Sequence, residues 1–434
     1  MESTDDSIDG SSGQFRSAVG VDRRGFLRAG GAVGLGALLA ACDRKSASSS
    51  PAPTPATQPA VPQTSPSATA AGPEMMRFPE KTDLILLTDR PPQLETPLKY
   101  FTQDLTPNEA FFVRWHLADI PTKVDTKTFR LNLRGHVEQE LSLSLDELKQ
   151  QFEPASVTAV NQCSGNSRSL FEPRVPGGQW GNGAVGNAQW TGVRLKDLLA
   201  KAKPKDGAVD VSFRGLDGPV VNTTPPFAKS LSFDHANDGE VIVAYEMNNQ
   251  PLPMLNGFPC RLIVPGWYGT YWVKALTKIE VLDKKFDGFW MAKAYKITQA
   301  PNYSESPTDL SKDTAPISVM TVRALIVRPE PNEELPAGKP FEVEGVAFDG
   351  GKGIAKVELS EDDGKTWVDA SLDPDGGRYS WRRFRYKWTP SGSGVKQLLS
   401  RATNAAGETQ ATHQWNRSGY ARDVMDPTPV RVAT

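Results

Sequence analysis

The chain has 434 residues, enough for two domains and a large buried core. Its 49 lysines and arginines against 51 aspartates and glutamates leave no global charge bias, which excludes the basic footprint of a nucleic-acid-binding protein. Three cysteines and four histidines, with no CxxC, HExxH or CxxCH spacing, argue against a structural zinc site, a zincin and haem attached covalently as in c-type cytochromes.

At the N-terminus, Asp22-Arg23-Arg24-Gly25-Phe26-Leu27-Arg28 precedes a Gly- and Ala-rich apolar run at 29–41. Paired arginines followed by Phe-Leu and a weakly hydrophobic stretch read as a twin-arginine export signal, in a run too short to read as a bilayer span. Leu39-Ala40-Ala41-Cys42 resembles a lipobox, whose cysteine would be acylated; a plain small-residue cleavage site has the same composition. Residues 1–42 are therefore expected to send the protein to the periplasm, with membrane contact only through a lipid anchor. Residues 43–77 are dominated by Ser, Pro, Ala, Thr and Gln, which cannot bury enough apolar surface to fold, so a disordered tether is expected there.

From residue 78 the pattern changes. Ala110-Phe111-Phe112-Val113-Arg114-Trp115-His116 reads as a strand that aims Arg114 and His116 at one face, either an anion-binding face or a solvated edge. A further strand is expected at 128–137 and a short helix at 145–152 capped by Ser144 or Asp146. Residues 156–160 read as a strand that delivers Cys163 into the polar loop Ser164-Gly165-Asn166-Ser167, with Arg168 behind it. A thiol fixed by a strand end, with small neighbours that leave room beside it, suits a ligand or a nucleophile. Gly181-Asn182-Gly183-Ala184-Val185-Gly186 is a literal GxGxxG, but no strand precedes it and no helix opens after it, so it is not a dinucleotide fingerprint. A helix is expected at 193–202, strands at 209–213, 240–246 and 261–264, then a glycine-bounded aromatic turn at 265–270. From 315 onward, short strands at 341–347, 354–360, 367–370 and 397–403, separated by turns such as Asp349-Gly350-Gly351, suggest a β-sandwich.

Four blocks carry a resemblance: Cys163-Ser-Gly-Asn-Ser-Arg168; Trp190-Thr191-Gly192-Val193; Ala244-Tyr245-Glu246-Met247-Asn248 with Pro251-Leu252-Pro253; and Gly257-Phe258-Pro259 through Val264-Pro265-Gly266. In this order and spacing the chain resembles the sulfite oxidase family of molybdopterin enzymes from about residue 90 to the end. The resemblance implies an α+β fold: a mixed molybdopterin-binding domain, 78–314, followed by an immunoglobulin-like β-sandwich of the dimerisation type, 315–434. It also implies a molybdenum-molybdopterin cofactor with no haem in this chain.

By the same resemblance, Cys163 is the thiolate ligand to molybdenum, a soft ligand suited to that metal; a structural disulfide with Cys260 is the alternative. Arg114 and Arg168 match arginines that line the family's anion pocket, and Tyr295 matches its active-site tyrosine. Phe112, Val113, Arg114, Trp115, His116, Asp217, Asn256, Arg261, Trp272, Val273 and Lys274 match positions around the pterin and its phosphate. Three departures are visible: Ala294 where vertebrate relatives carry aspartate, Asn256 in place of a pterin-contacting histidine, and the arginine of Trp415-Asn416-Arg417-Ser418-Gly419 displaced by one from a substrate-binding position. The implied activity is oxidation of sulfite to sulfate by oxygen-atom transfer, with electrons passed to an external cytochrome c and the chain pairing as a homodimer. Two alternatives stay open: an exported reductase of sulfoxides on the same cofactor, and a non-enzymatic, surface-tethered binding protein on the same scaffold.

Overall fold

Two antiparallel strands, Pro154–Gln162 and Val185–Arg194, form the floor on which the rest of the computed structural model is assembled. Small and β-branched residues let the pair pack on both faces, and Ala159, Val160, Val185, Ala188 and Trp190 are all fully buried. The structure describes residues 78–434; the twin-arginine motif, the lipobox and the tether expected at 43–77 lie outside the described residues.

Ile242–Met247 pairs with the outer edge of Val185–Arg194, and Arg261–Ile263 and Gln250–Pro251 pair with Ile242–Met247 in turn. A second sheet runs in the order Leu141–Leu143, Leu131–Gly135, Leu276–Leu282, Asp210–Gly215, Ala228–Ser232. It is mixed, because Leu131–Gly135 lies parallel to Leu276–Leu282 while the other pairs are antiparallel. Helices are few and short. Leu145–Gln151 starts at a capping box between Ser144 and Glu147, and Leu195–Ala202 packs its apolar stripe inward. The architecture is thus mostly strands, with a smaller helical share than the α+β expectation implies.

Several expected elements are shorter than their sequence patterns; the strand expected at 128–137, for example, is Leu131–Gly135. The helix expected from Val193 begins at Leu195, because Val193 and Arg194 stay in the ladder opposite Val243 and Ile242. The strand expected at 110–116 shrinks to Val113–Arg114. Side chains take the backbone carbonyls there: Lys81 binds Phe111 O, Asn256 binds Phe112 O and Lys274 binds Arg114 O.

Beyond residue 314, two sheets share one apolar cluster that includes Val343, Val357, Phe384, Trp388, Leu398 and Val430. One runs Arg323–Arg328, Phe341–Phe348, Arg382–Trp388, Ser371–Leu372; the other runs Glu334–Pro336, Thr428–Ala433, Gly394–Asn404, Ile354–Ser360, Val368–Asp369. This part does not stand apart, since the described residues 78–434 all fall in one compact unit. The segment at 415–421 leaves the second sheet pair and returns to the Cys163 loop.

Candidate active site

Cys163 follows directly on the strand Pro154–Gln162, and its N–H donates to Ala184 O at 2.9 Å, so the scaffold fixes its backbone. The loop after it is tied to residues 181–184: Ser167 N–H donates to Gly181 O at 2.6 Å, and Ala184 N–H donates to Asn166 Oδ1 at 2.9 Å. Glu95 braces the far side, accepting the N–H groups of Gly181 and Gly183 at 2.8 Å each. The glycine run serves this packing: a Cβ on Gly183 would lie 2.0 Å from Thr96 O. Cys163 and Cys260 are both free thiols, so the disulfide alternative does not hold. Cys260 is buried against Leu276, and burial pushes its thiol up to about 12.

A small cavity opens beside Cys163, walled by Phe112, Arg114, His116, Asn256, Arg261, Lys274 and Tyr295 among others. Tyr295 is the hub of the wall. Its hydroxyl lies 2.6 Å from His116 Nε2 and receives a hydrogen bond from Arg114 Nη2 at 3.3 Å. Its backbone is held at φ +56°, a conformation unusual for a tyrosine. Burial pushes the phenol pKa well up, so the hydroxyl keeps its proton at neutral pH. His116 stacks on Phe227 at 3.7 Å between ring centroids, and burial, helped by the charges of Arg114, Lys274 and Lys229, holds it well below the usual imidazole range. It is therefore neutral.

Behind this wall sits a buried cationic layer. Arg261 lies between the rings of Trp190 and Trp272 and donates to Asn256 O at 2.9 Å and Trp272 O at 3.2 Å. Lys274 reaches Arg114 O at 2.5 Å over the face of Trp115. Burial, with Arg261 and Arg114 nearby, draws the lysine down, while burial raises Asp217 against the pull of Lys274. Such a layer recognises an anion such as phosphate.

Several buried polar atoms on the cavity side have no partner within the chain: Asn161 Oδ1, Ser164 Oγ, Thr270 Oγ1 and Arg261 Nε. Buried polar groups are normally satisfied, so these atoms mark a wall shaped for a polar ligand. A Cβ on Gly269 would lie 2.2 Å from Asn161 Oδ1, another sign of close approach. Among the described residues no group of three His, Cys, Asp or Glu could hold a metal ion. A metal beside Cys163 would accordingly draw its other ligands from a cofactor. One soft thiolate, orphaned polar atoms and a cationic layer fit a molybdenum-molybdopterin group.

The expected site residues are not all equivalent. Arg114, His116, Cys163, Asn256, Arg261, Lys274 and Tyr295 meet on the cavity. Trp115, Trp272 and Val273 are buried close behind it; Val113 packs with Trp115 in a satellite core, and Phe112 contributes both ring and carbonyl. Asp217 is buried near Lys274 but does not line the cavity. Arg168 is 7% exposed and not on the cavity wall; its guanidinium is clamped by Gly165 and Gly177 and donates to Gly178 O at 3.0 Å. Sequence reasoning missed Lys81, which binds Asn256 Oδ1 at 2.5 Å, and Tyr420, which lies against both Arg168 and Tyr295. It also missed Lys229, whose ammonium sits 5.2 Å from the centre of the Tyr295 ring.

The fold and site are those of a molybdopterin-binding oxidoreductase: a model of the oxidoreductase molybdopterin-binding domain matches residues 117–290, and a Mo-co oxidoreductase dimerisation domain matches 314–425. Sulfite oxidase of Gallus gallus is 34% identical over 319 residues, covering 70% of this chain and 67% of that protein. Mitochondrial sulfite oxidase of Homo sapiens is 36% identical over 325 residues, covering 72% of this chain and 58% of that protein. The corresponding protein of Drosophila melanogaster is 34% identical, covering 79% and 62%. The chain belongs to the sulfite oxidase family, and it spans about three fifths of the length of the last two relatives. The crystal structure of the sulfane dehydrogenase SoxCD from Paracoccus pantotrophus shares the fold, with TM-score 0.68 at 24% identity over 80% of this chain and 86% of that one.

Proposed function

We propose that this chain is an exported molybdoenzyme that oxidises sulfite to sulfate by oxygen-atom transfer and passes the electrons to an external cytochrome c. The observation that carries the reading is the meeting of one free thiol, the Arg114–Tyr295–His116 hydrogen-bonded set and orphaned polar atoms around a single cavity. Cys163 would hold the metal. Arg261, Lys274 and Asn256, with His116 and the backbone at 112–116 and 272–274, would hold the pterin and its phosphate. When bound, the cofactor supplies the redox chemistry; the chain supplies orientation and charge.

The protein's own part is electrostatic. Arg114 offers guanidinium N–H groups to an oxyanion, and Arg168 adds positive charge from behind the wall. In the tautomer where His116 carries its proton on Nε2, the phenol oxygen of Tyr295 accepts from both His116 and Arg114. Its own proton is then free to point into the cavity as a donor to the oxyanion. That is the arrangement the proposal requires. Because His116 is held neutral and Tyr295 protonated, the set stays in one charge state across neutral pH.

The twin-arginine motif and lipobox support export with a lipid anchor, and 43–77 would be the tether that lets the enzyme meet its acceptor. A catalytic domain over 78–314 and an immunoglobulin-like sandwich over 315–434 are part of the same reading, supported by the two C-terminal sheets with a common core. That C-terminal part is where a homodimer would form, as the dimerisation-domain match suggests. The test is made on the purified full chain: molybdenum at about one atom per chain, and cytochrome c reduction that depends on sulfite and disappears in Cys163→Ser. Absence of molybdenum, or a loaded enzyme inert to sulfite, would overturn the proposal.

A further inference from the structure

Lys229 lies on Ala228–Ser232, the edge strand of the second sheet, and is fully buried. Its ammonium donates to Trp290 O at 2.9 Å and stands 4.4 Å from the centre of the Tyr271 ring and 5.2 Å from that of Tyr295. Among the described residues no carboxylate pairs with it. The titratable groups it faces are the phenols of Tyr271 and Tyr295, together with His116, which its charge helps to keep neutral. A buried charge without a counter-ion is costly. Here two aromatic faces and one carbonyl offset part of that cost.

Lys229 does not line the cavity, but Tyr295 does. The hydroxyl of Tyr295 is shared by Arg114 and His116, so its proton is the one donor this ring has left to offer. A cation within about 6 Å of a ring centre interacts with the π-cloud and draws electron density towards itself. On a phenol that polarisation makes the O–H a stronger donor. The ammonium is held in place for this: Trp290 O belongs to the short helix Phe289–Ala292, which leads directly into Tyr295 at its φ of +56°.

We propose that Lys229 is a positioning residue of the oxyanion site: its charge, held against the ring of Tyr295, strengthens the phenol O–H as a donor to the anion, while the lysine itself never touches the anion. The inference rests on the reading of the cavity as a sulfur-oxyanion site with the Tyr295 proton directed into it.

Titration calorimetry with sodium sulfate on the molybdenum-loaded full chain tests this as a double-mutant cycle of wild type, Lys229→Met, Tyr295→Phe and the double variant, at pH 6 and constant ionic strength. At that pH, below the value of about 7 to which burial draws Lys229, the wild-type lysine is charged. Lys229→Met is expected to weaken sulfate binding about threefold to tenfold when Tyr295 is present, and less than about twofold in Tyr295→Phe. At pH 9, where wild-type Lys229 has lost its proton, Lys229→Met is expected to change the affinity by less than about twofold. Lys229→Gln is carried alongside with the same expectations, and decides the matter if Lys229→Met fails to load molybdenum. No loss at pH 6, an equal loss in both backgrounds, or a loss that persists at pH 9 overturns the inference while leaving the oxyanion site standing, because Lys229 would then act through the fold or through His116. A loaded wild type that binds no sulfate at pH 6 sinks the oxyanion reading itself, and the inference with it.

Discussion

Glu95 offers a quantitative test of how the Cys163 loop is held. Its carboxylate is buried and accepts two backbone N–H groups, from Gly181 and Gly183, at 2.8 Å each. Burial raises its pKa against the opposite pull of those two donors. A buried donor left without an acceptor costs about 1–3 kcal/mol. Glu95→Ala strips both, for a loss of about 2–6 kcal/mol, while Glu95→Gln keeps one carbonyl oxygen and loses about half as much. With an unfolding entropy of about 2.1 cal/mol/K per residue over the folded part, each kcal/mol is roughly 1.4 °C in Tm. Glu95→Ala should therefore melt about 3–8 °C below the wild type, with Glu95→Gln between them. The assay is thermal unfolding at pH 7.5 with molybdenum content matched between samples, and with the exposed Glu140→Ala as a control expected to stay at the wild-type Tm. A Glu95→Ala Tm equal to that of the control would refute the bracing role.

Two further outcomes follow from the wall of the cavity. Tyr295→Phe removes the hydroxyl shared by His116 and Arg114 and should lower kcat/KM for sulfite about tenfold to a hundredfold, a charged hydrogen bond being worth about 1.5–3 kcal/mol; steady-state kinetics at saturating acceptor checks it. Lys229 is fully buried and its pKa is drawn down by burial to about 7. A lysine depressed in the folded state gives the unfolded chain more bound protons between pH 7 and the ordinary lysine value, so stability rises with pH across that window, falls as pH drops back through it, and levels off below about 7, where both states carry the proton. Measured by denaturant titration at several pH values from 7 to 9, Lys229→Met should remove up to about 1.4 kcal/mol of stability gain per pH unit. An identical slope in both proteins would contradict this.

How much of this was legible in the sequence depended on the range of the interactions. The Cys163 strand and loop could be read because a β-branched run, a thiol and four small polar residues lie in one contiguous stretch. The helix at Leu145–Gln151 could be read because its capping box is local. The GxGxxG at 181–186 could be set aside for the same reason, and its packing use appeared only with Glu95 and Thr96 in place. Lys81, by contrast, meets Asn256 across 175 residues of chain, and Tyr420 meets Arg168 from the far end of the molecule. No local pattern announces such contacts. Arg382–Trp388 went unread as a strand because its charged residues mask the alternation that buries Phe384 and Trp388. Arg168 is expected at the anion pocket from its place five residues after Cys163; in the structure it does not line the cavity and packs against Gly165, Gly177 and Gly419, contacts that no local pattern announces.

The sulfur of Cys163 is the one protein atom proposed to hold the metal. X-ray absorption at the molybdenum edge counts the sulfur atoms around the metal, and the count should fall by about one between the wild type and Cys163→Ser, with molybdenum content and Tm retained. An unchanged sulfur count in a folded, metal-loaded variant would contradict the assignment of that thiolate as a ligand.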